Sequence, residues 1–409
     1  MNALQGRRVL LGVGGGIAAY KLCEVASSLA KEGISVRAVL TSTAQNFVTK
    51  LTFSTLCRQA AYSDEDFWDA SHPRPLHIEL GEWAEVLAIG PLTANTLAKL
   101  AWGMADNLLT NTVLASTCPI LLVPAMNTDM WNQPTVQENL QRLQSFERYR
   151  LLEPEAGLLA CDRVGTGRMA EPSAILAYLH SLLQGGTQQD LVGKQVVVSG
   201  GSTREFLDPV RFIGNPSTGK MGLALAQAAY HRGASVTFVH GPMDPALLTE
   251  LPRQYCQSVT NADEMLRALL AASESADWIL MSAAVADAKP ATYSPTKLPK
   301  AALPDSIPLA PVPDILAELA KYRRSSQRLI GFAAQTGDIV PPAQRKLEAK
   351  GIDAIAANPI DRPHAGFGSD ENQAILLDKY GRQQTIPPCT KLQLAHHLLD
   401  FIQSIPVNP

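Results

Sequence analysis

Two three-layer α/β domains, each built on a doubly wound, mainly parallel sheet, are predicted by three features of this 409-residue sequence. The chain is too long to bury a single core, so two domains is the natural division. A unit of strand, glycine turn, helix and strand occurs twice: in RRVLLGVGGGIAAYKLCEVASSLAKEGISVRAVLT, and again in KQVVVSGG with GKMGLALAQAAYHRGASVTFVHG. Further apolar runs alternate with amphipathic segments, the pattern of parallel Rossmann-like sheets covered by helices on both faces.

The elements are taken in chain order. MNALQGRRVLLGVGGG superficially has a signal peptide's basic pair and apolar run. The run is too short, however, and passes directly into helix-opening glycines, so it reads as the first strand. EVLAIGP (85–91) and PILLVPAM (119–126) are strand candidates, and TANTLAKLAWGMADNLLTNTVLA between them reads as helix, turn, helix. Residues 153–172, rich in Gly and Pro, read as a loop or flap. A helix near 173–183 precedes the polar stretch QGGTQQDLVG, which places the domain boundary at about residue 186, giving domains 1–186 and 187–409. In the second half, DWILMSAAVAD (277–287) and RLIGFAAQTG (328–337) read as buried strands ending in functional loops. Residues 288–311 show no periodicity and read as a long functional connection. ENQAILLDKYGRQQTI reads as a hairpin, and the apolar-periodic segment after it as a closing helix.

Composition narrows the function. Hydrophobic residues make up 46%, charged residues 18%, and 35 basic against 38 acidic side chains leave a net charge of −3. Neither a nucleic-acid nor a membrane-surface partner is expected without a basic face. No apolar run is long enough to suggest a membrane span. Cys23, Cys57, Cys118, Cys161, Cys256 and Cys389 are scattered, with no metal-ligand spacing. A reduced, cytoplasmic protein without structural zinc is expected.

The motifs each carry a plain alternative. Gly14, Gly16 and Ala19 satisfy G-x-G-x-x-G/A after a strand, suiting a phosphate at a helix N-terminus; a tight turn without ligand is the alternative. The second strand ends in Thr41, Ser42 and Thr43 instead of the acid that a dinucleotide's ribose wants, so a mononucleotide is favoured over NAD. GNPSTGKM (214–221) nearly matches a P-loop, but Met221 replaces the magnesium-binding hydroxyl. A P-loop ATPase is therefore rejected, while a phosphate at this glycine-rich helix start stays open. His77, in PLHIELGEW, is a core histidine or a catalytic base. Asn127, in VPAMNTDMW, is an Asx-turn cap or a substrate-orienting amide. Cys161 is a loop thiol whose reactivity depends on its pKa. Lys297 and Lys300 are solvated loop lysines, or neutralise a leaving pyrophosphate. Arg211 and Asn215 are of a type to position a carboxylate.

Taken together, GVGGGIAAYK, LHIEL, PLTANTLAKLAWGMADNLL, PAMNTDMW and ACDRVGTGRM, followed by GGSTREFLDPVRFIGNPSTGKMG, SAAVAD, KLPK and GFAAQT, resemble one family over nearly the whole chain. It is that of the bifunctional phosphopantothenoylcysteine decarboxylase/phosphopantothenate–cysteine ligases of bacterial coenzyme A synthesis. The resemblance implies an HFCD-type flavoprotein domain followed by a ligase domain. In the ligase, 4'-phosphopantothenate and CTP would give an acyl-cytidylate and pyrophosphate, and cysteine's amine would then form the amide. Asn215 and Arg211 would lie at the acyl-cytidylate, and Asp287, Lys297 and Lys300 at CTP, with Ala283 and Phe332 as further substrate or nucleotide contacts; Met126, in PAMN, would be a substrate contact of the first half. Magnesium is expected only through the CTP phosphates. In the decarboxylase, FMN would oxidise the cysteinyl side chain to a thioaldehyde, carbon dioxide would leave, and the reduced flavin would return a hydride to give 4'-phosphopantetheine. His77 matches the family's base, Asn127 the residue holding the substrate carboxylate and amide, and Cys161 the proton donor. Gly14, Gly15, Gly16, Thr41, Thr43, Ala94, Asn95, Thr96, Met104 and Asp106 would hold the flavin. Gly14 stands where a serine is common, Phe206 and Pro216 differ from the usual residues, and Pro299 replaces a lysine of the KxKK segment. The family also implies a homo-oligomer, a dodecamer of trimeric decarboxylase and dimeric ligase domains. A flavin-binding regulatory homologue and an NAD(P)-dependent reductase are the alternatives.

Overall fold

The computed structural model describes residues 4–69, 73–160, 162–184, 189–303, 305–361, 366 and 368–406. Tertiary contacts divide the chain into two compact units, Met1–Thr187 and Gln188–Pro409.

In the first unit, β1 (Arg8–Val13) runs through a 3-10 turn into α1 (Lys21–Lys31); β2 (Ser35–Leu40), α2 (Lys50–Cys57) and the short β3 (Ala61–Tyr62) come next. Helices α3 (Asp64–Phe67) and α4 (Leu76–Trp83) precede β4 (Val86–Leu92), and α5 (Ala94–Ala101) and α6 (Leu108–Ala115) precede β5 (Ile120–Pro124). Then come α7 (Thr128–Trp131), α8 (Pro134–Gln144), β6 (Tyr149–Leu151), the hairpin β7 (Glu155–Leu158) and β8 (Val164–Arg168), and α9 (Pro172–Leu183). The sheet order is β3-β2-β1-β4-β5-β6, with every pair parallel. Every residue of β4 is buried, which explains its unbroken apolar sequence: a central parallel strand has helices on both faces. Leu22, Val25, Ala26 and Leu29 recur at helical spacing and bury one face of α1. The predicted helix–turn–helix is α5 and α6, started by the side-chain caps of Thr93 and Asn107. Residues 153–172, expected to be a loop, instead form the β7–β8 hairpin. Alternating glycines hid its strand pattern.

The second unit begins with β9 (Gln195–Gly200), the small ribbon β10 (Glu205–Phe206) and β11 (Phe212–Ile213), α10 (Lys220–His231) and β12 (Ser235–His240). It continues through β13 (Cys256–Ser258), α11 (Ala262–Ser273), β14 (Trp278–Met281), β15 (Ala288–Pro290), β16 (Leu309–Pro311) and α12 (Ile315–Tyr322). The last elements are β17 (Arg328–Gln335), α13 (Val340–Lys350), β18 (Ala354–Pro359), β19 (Glu371–Asp378), β20 (Gln383–Thr390) and α14 (Lys391–Gln403). The sheet order is β13-β12-β9-β14-β17-β18-β19-β20, antiparallel only at β18–β19 and β19–β20. Side chains alternate between two cores. Val196, Val198 and Phe238 pack with Leu225 of α10 and Leu398 of α14, whereas Val197, Ile279 and Leu329 pack with Leu269 of α11 and Leu347 of α13. That alternation is the strand period of two acting on a sheet covered on both sides. The stretch 288–311, read as a long functional connection, is pinned near both ends where β15 pairs with β16. Among the described residues no helix is long and apolar enough to cross a membrane.

Candidate active sites

In both units the strand order reverses between the first strand and the fourth, and ligands of open α/β sheets bind at the carboxyl ends of strands at such a switch point. In the first unit the switch point lies between β1 and β4. The turn Gly14–Gly16 leaves β1 there and packs on the end of β4. A Cβ at Gly14 would meet the Pro91 carbonyl oxygen at 2.1 Å, and one at Gly15 would meet Thr43 Oγ1 at 2.2 Å. Only glycine lets these three strand ends converge. Gly14 N–H donates to Gly90 O and Gly16 N–H to Gly14 O, so among the turn's amides it is Gly15 that is left to face an anion. Thr41 is buried and bonds Val13 O (3.2 Å) and Thr43 Oγ1 (3.3 Å), while Thr43 is exposed. Thr93 caps α5 through Thr96 N–H; Thr96 is buried, Asn95 exposed, Met104 exposed, and Asp106 is paired with Lys99 at 2.6 Å. A cradle without side chains, rimmed by hydroxyls, fits a phosphate and the edge of a planar ring.

The end of β5 carries the next group. Asn127 Oδ1 accepts from Met130 N–H at 2.8 Å, so the capping reading of this residue is realised, with its amide N–H2 left over for a ligand. Met126 N–H donates to Gly167 O at 3.0 Å. Gly167 has φ +138°, and a Cβ there would lie 2.1 Å from Met126 O. This close approach seats the β7–β8 hairpin on the Met126–Thr128 segment, beside Asn127. Cys161, expected on that flap, lies outside the described residues.

His77 is in the first turn of α4, a helix preceding the strand it was expected to adjoin. Its ring meets Phe67 edge-on, with centroids 5.3 Å apart, and Nδ1 is buried without a partner. Thr128 Oγ1, beside Asn127, is a second buried polar atom without a partner. Such atoms are rare and call for an explanation; sequence reasoning missed Thr128. No hydrogen bond joins His77 to the glycine turn or to Asn127 among the described residues.

In the second unit a cavity of about 680 Å³ opens at the corresponding switch point. The loop after β14 is stitched to the end of β9: Ala283 N–H donates to Ser199 Oγ (3.1 Å), Ala284 N–H to Gly201 O (2.9 Å) and Ala286 N–H to Thr203 Oγ1 (3.0 Å). Asn215 Nδ2 donates to Ala284 O (3.3 Å) and Val285 O (3.1 Å). Asn215, Ala283, Asp287 and Phe332 all line the cavity, and so does the N-terminus of α10, the near-P-loop segment. Arg211, Lys297 and Lys300 are not among the lining residues; Arg211 is bonded to Asp208 (2.7 Å) and Leu298 O (3.1 Å), and both lysines are exposed.

Four lysines do line the cavity: Lys220 belongs to the GNPSTGKM segment left open for a phosphate, whereas sequence reasoning missed Lys346, Lys350 and Lys391. Lys346 donates to Phe332 O at 2.9 Å, Lys220 pairs with Asp370 at 2.5 Å, and Lys350 pairs with Asp314. Burial lowers the pKa of Lys346, with Lys350 adding to the effect against Asp314 and Asp287. Burial lowers that of Lys391 too, helped by Lys220. Buried, mutually repelling ammonium groups are stabilised by an entering polyanion. The pair Lys346 and Lys350, four residues apart on α13, was the only local signal. Among the described residues no cluster of His, Cys, Asp or Glu could hold a metal ion.

Fold and sites together define a class: a two-unit α/β protein with a glycine-turn cradle at one switch point and a lysine-lined cavity at the other. Residues 2–184 match the flavoprotein family, and residues 191–405 match the family described as DNA/pantothenate metabolism flavoprotein C-terminal domain. The coenzyme A biosynthesis bifunctional protein CoaBC of Bacillus subtilis is 39% identical over 404 residues, 98% of each chain. That of Escherichia coli K12 is 36% identical over 405 residues, 98% of this chain and 97% of the other. Among solved structures, a PPC decarboxylase variant complexed with pantothenoylaminoethenethiol is 39% identical over 43% of this chain and 97% of its own, with a TM-score of 0.40. A C-terminal domain of CoaBC is 33% identical over 52% of this chain and 95% of its own, with a TM-score of 0.43. The chain belongs to the family of bifunctional coenzyme A biosynthesis proteins. Its first half matches the flavoprotein family, and neither the regulatory nor the NAD(P)-dependent alternative is favoured.

Proposed function

We propose that the chain performs two successive steps: CTP-dependent joining of cysteine to 4'-phosphopantothenate in residues 187–409, then FMN-dependent decarboxylation to 4'-phosphopantetheine in residues 1–186. The observation that carries this reading is the four-lysine cavity at the second switch point, with Asn215 on its wall. Two phosphorylated substrates must meet there, and fixed ammonium groups neutralise charge as pyrophosphate departs. The carboxylate of phosphopantothenate attacks the α-phosphorus of CTP; a C–O–P linkage forms and the bond to pyrophosphate breaks. Asn215 and Arg211 orient the acyl-cytidylate. Asp287, Lys297 and Lys300 serve the triphosphate, with Ala283 and Phe332 forming the nucleotide wall. Magnesium would enter on the CTP phosphates, where Asp287 on the cavity wall could meet it. Cysteine's amine then attacks the acyl carbon, CMP leaves, and one proton is released.

In the first unit Gly14, Gly15, Gly16, Thr41 and Thr43 would hold the flavin phosphate, with Ala94, Asn95, Thr96, Met104 and Asp106 holding the rest of the flavin. FMN supplies the reversible two-electron oxidation at the cysteinyl thiol carbon that lets the neighbouring carboxylate leave. Asn127 and Met126 hold that carboxylate and the amide beside it, His77 Nδ1 takes the proton, and Cys161 returns one from the flap. Closing the hairpin keeps water out. His77 Nδ1, buried without a partner, supports a site completed by a second copy. Trimeric first units and dimeric second units, closing as a cytoplasmic dodecamer, satisfy this.

The test is a coupled assay on FMN-loaded protein, read by mass spectrometry of both products. With CTP, phosphopantetheine and pyrophosphate are expected. Equal product with CTP omitted, or yellow protein that makes neither product, would overturn the reading.

A further inference from the structure

We propose that Asp208 is the positioning residue that fixes the Lys297–Lys300 loop where its lysines serve the nucleotide. The proposal rests on the function proposed above. It adds a residue that touches neither cavity nor substrate.

Asp208 has a fully buried side chain, and every contact it makes is to a donor. Oδ1 accepts from Val210 N–H and Arg211 N–H, each at 2.8 Å, closing the turn of the DPVR segment. Oδ2 accepts from Arg211 Nη1 at 2.7 Å and, across a long stretch of chain, from Leu298 N–H at 3.2 Å. Arg211 Nη1 also donates to Leu298 O at 3.1 Å. Leu298 is therefore held at both its N–H and its C=O by one carboxylate–guanidinium pair. A second tether lies just upstream, where Ser294 N–H donates to Leu207 O at 2.9 Å. Desolvation alone would raise the Asp208 pKa. The amides of Val210, Arg211 and Leu298 and the Arg211 charge outweigh it and hold the carboxyl below its usual range, so the grip is anionic at neutral pH.

The contrast with the residues on either side makes the point. Lys297 and Lys300 are exposed, and neither side chain has an ion pair or hydrogen bond among the described residues. A backbone fixed at Leu298 between two uncommitted ammonium groups is preordered: binding a polyanion then costs less loop entropy than ordering a free loop. Pro299, in place of the family's lysine, stiffens the same point by fixing φ. The loop then works with fewer charges but less freedom.

Asp208→Asn in the full-length, FMN-loaded chain separates the grip from the turn. The Asn oxygen still accepts from the Val210 and Arg211 amides. Its N–H2 faces the Leu298 N–H and Arg211 Nη1, where no acceptor remains. Trypsin cleavage after Lys297 and Lys300 should accelerate at least about tenfold. The kcat/KM for CTP, monitored by pyrophosphate release, should fall about tenfold or more, mostly through KM. The KM for cysteine and the decarboxylation of supplied phosphopantothenoylcysteine should not change. Leu298→Pro removes the same bond from the loop side without touching the buried carboxylate, and should reproduce the CTP defect if Asp208→Asn does not fold. Wild-type cleavage rates at both lysines in folded Asp208→Asn, or an unchanged kcat/KM for CTP in that variant or in Leu298→Pro, would overturn the proposal. A wild-type chain that releases no pyrophosphate from CTP would instead overturn the proposed function, and the role of Asp208 toward CTP with it; the proteolysis would still report the grip.

Discussion

The two halves of this chain share a sheet order through six strands, β3-β2-β1-β4-β5-β6 in one and β13-β12-β9-β14-β17-β18 in the other, yet their switch points are chemically unlike. In the first, α1 comes after β1 through a turn so tight that Gly14 and Gly15 touch neighbouring strand ends, and hydroxyls and backbone amides line the cradle. In the second, a long excursion through β10 and β11 separates β9 from α10, opening a cavity lined by Lys220, Lys346, Lys350 and Lys391. In the function proposed above, one topology thus serves a ligand with a single phosphate or a pair of highly charged substrates, according to turn length and lysine count. Fold sets the place, and side chains set the chemistry.

Predictions that sharpen this contrast run from large to small. His77→Asn should cut carbon dioxide release by about 10²–10⁴-fold with flavin retained, as for loss of a general base; turnover near wild type would remove His77 from the chemistry. Lys346→Met should lower pyrophosphate release by about 10²–10³-fold, leaving decarboxylation of supplied phosphopantothenoylcysteine intact.

Acid should separate the units in the same way. His231 and His396, buried in the second unit, have pKa values pushed down by desolvation, His231 well below its ordinary value and His396 to about 4. Both are neutral when folded, while the unfolded chain takes up protons near the ordinary value of 6.5. Their contribution is therefore full above pH 6.5 and is lost as pH falls toward about 4. The loss for His396 is on the order of 3 kcal/mol. The described histidines of the first unit, His77 and His180, are only half-buried. In denaturant at pH 5 the second unit should unfold first, and His396→Gln should flatten its pH dependence; an unchanged slope would contradict this. The smallest effect is expected for Gly15→Ala, whose Cβ would lie 2.2 Å from Thr43 Oγ1 and 3.0 Å from its backbone carbon. About 1–3 kcal/mol of overpacking should appear as a lower melting temperature and less bound FMN, with pyrophosphate release unchanged.

Legibility in the sequence divides along the same line. Strand and helix periodicity announced β1, α1, β2, β4 and β5, because buried parallel strands are continuously apolar and α1 repeats at 3.6 residues. The β7–β8 hairpin was not legible: its glycines are demanded by contact with Met126 and Thr128, which no local pattern displays. His77 and Asn127 were visible as residue types, and the Asn127 cap was one of the two readings offered, but the helix under His77 was not anticipated. The cavity lysines were the main omission. Lys346 and Lys391 are far apart in sequence and line one cavity only when α13 and α14 pack on the sheet, so no single motif carries both. Asp208 was equally silent, because its importance lies in reaching Leu298.

The most direct test of two separate sites on one repeated topology is a pair of single variants assayed for both reactions. Full-length His77→Asn, given phosphopantothenate, cysteine and CTP, should accumulate phosphopantothenoylcysteine with normal pyrophosphate release and no carbon dioxide. Lys346→Met should do the reverse when supplied with phosphopantothenoylcysteine. Loss of both reactions in either folded variant would contradict the division.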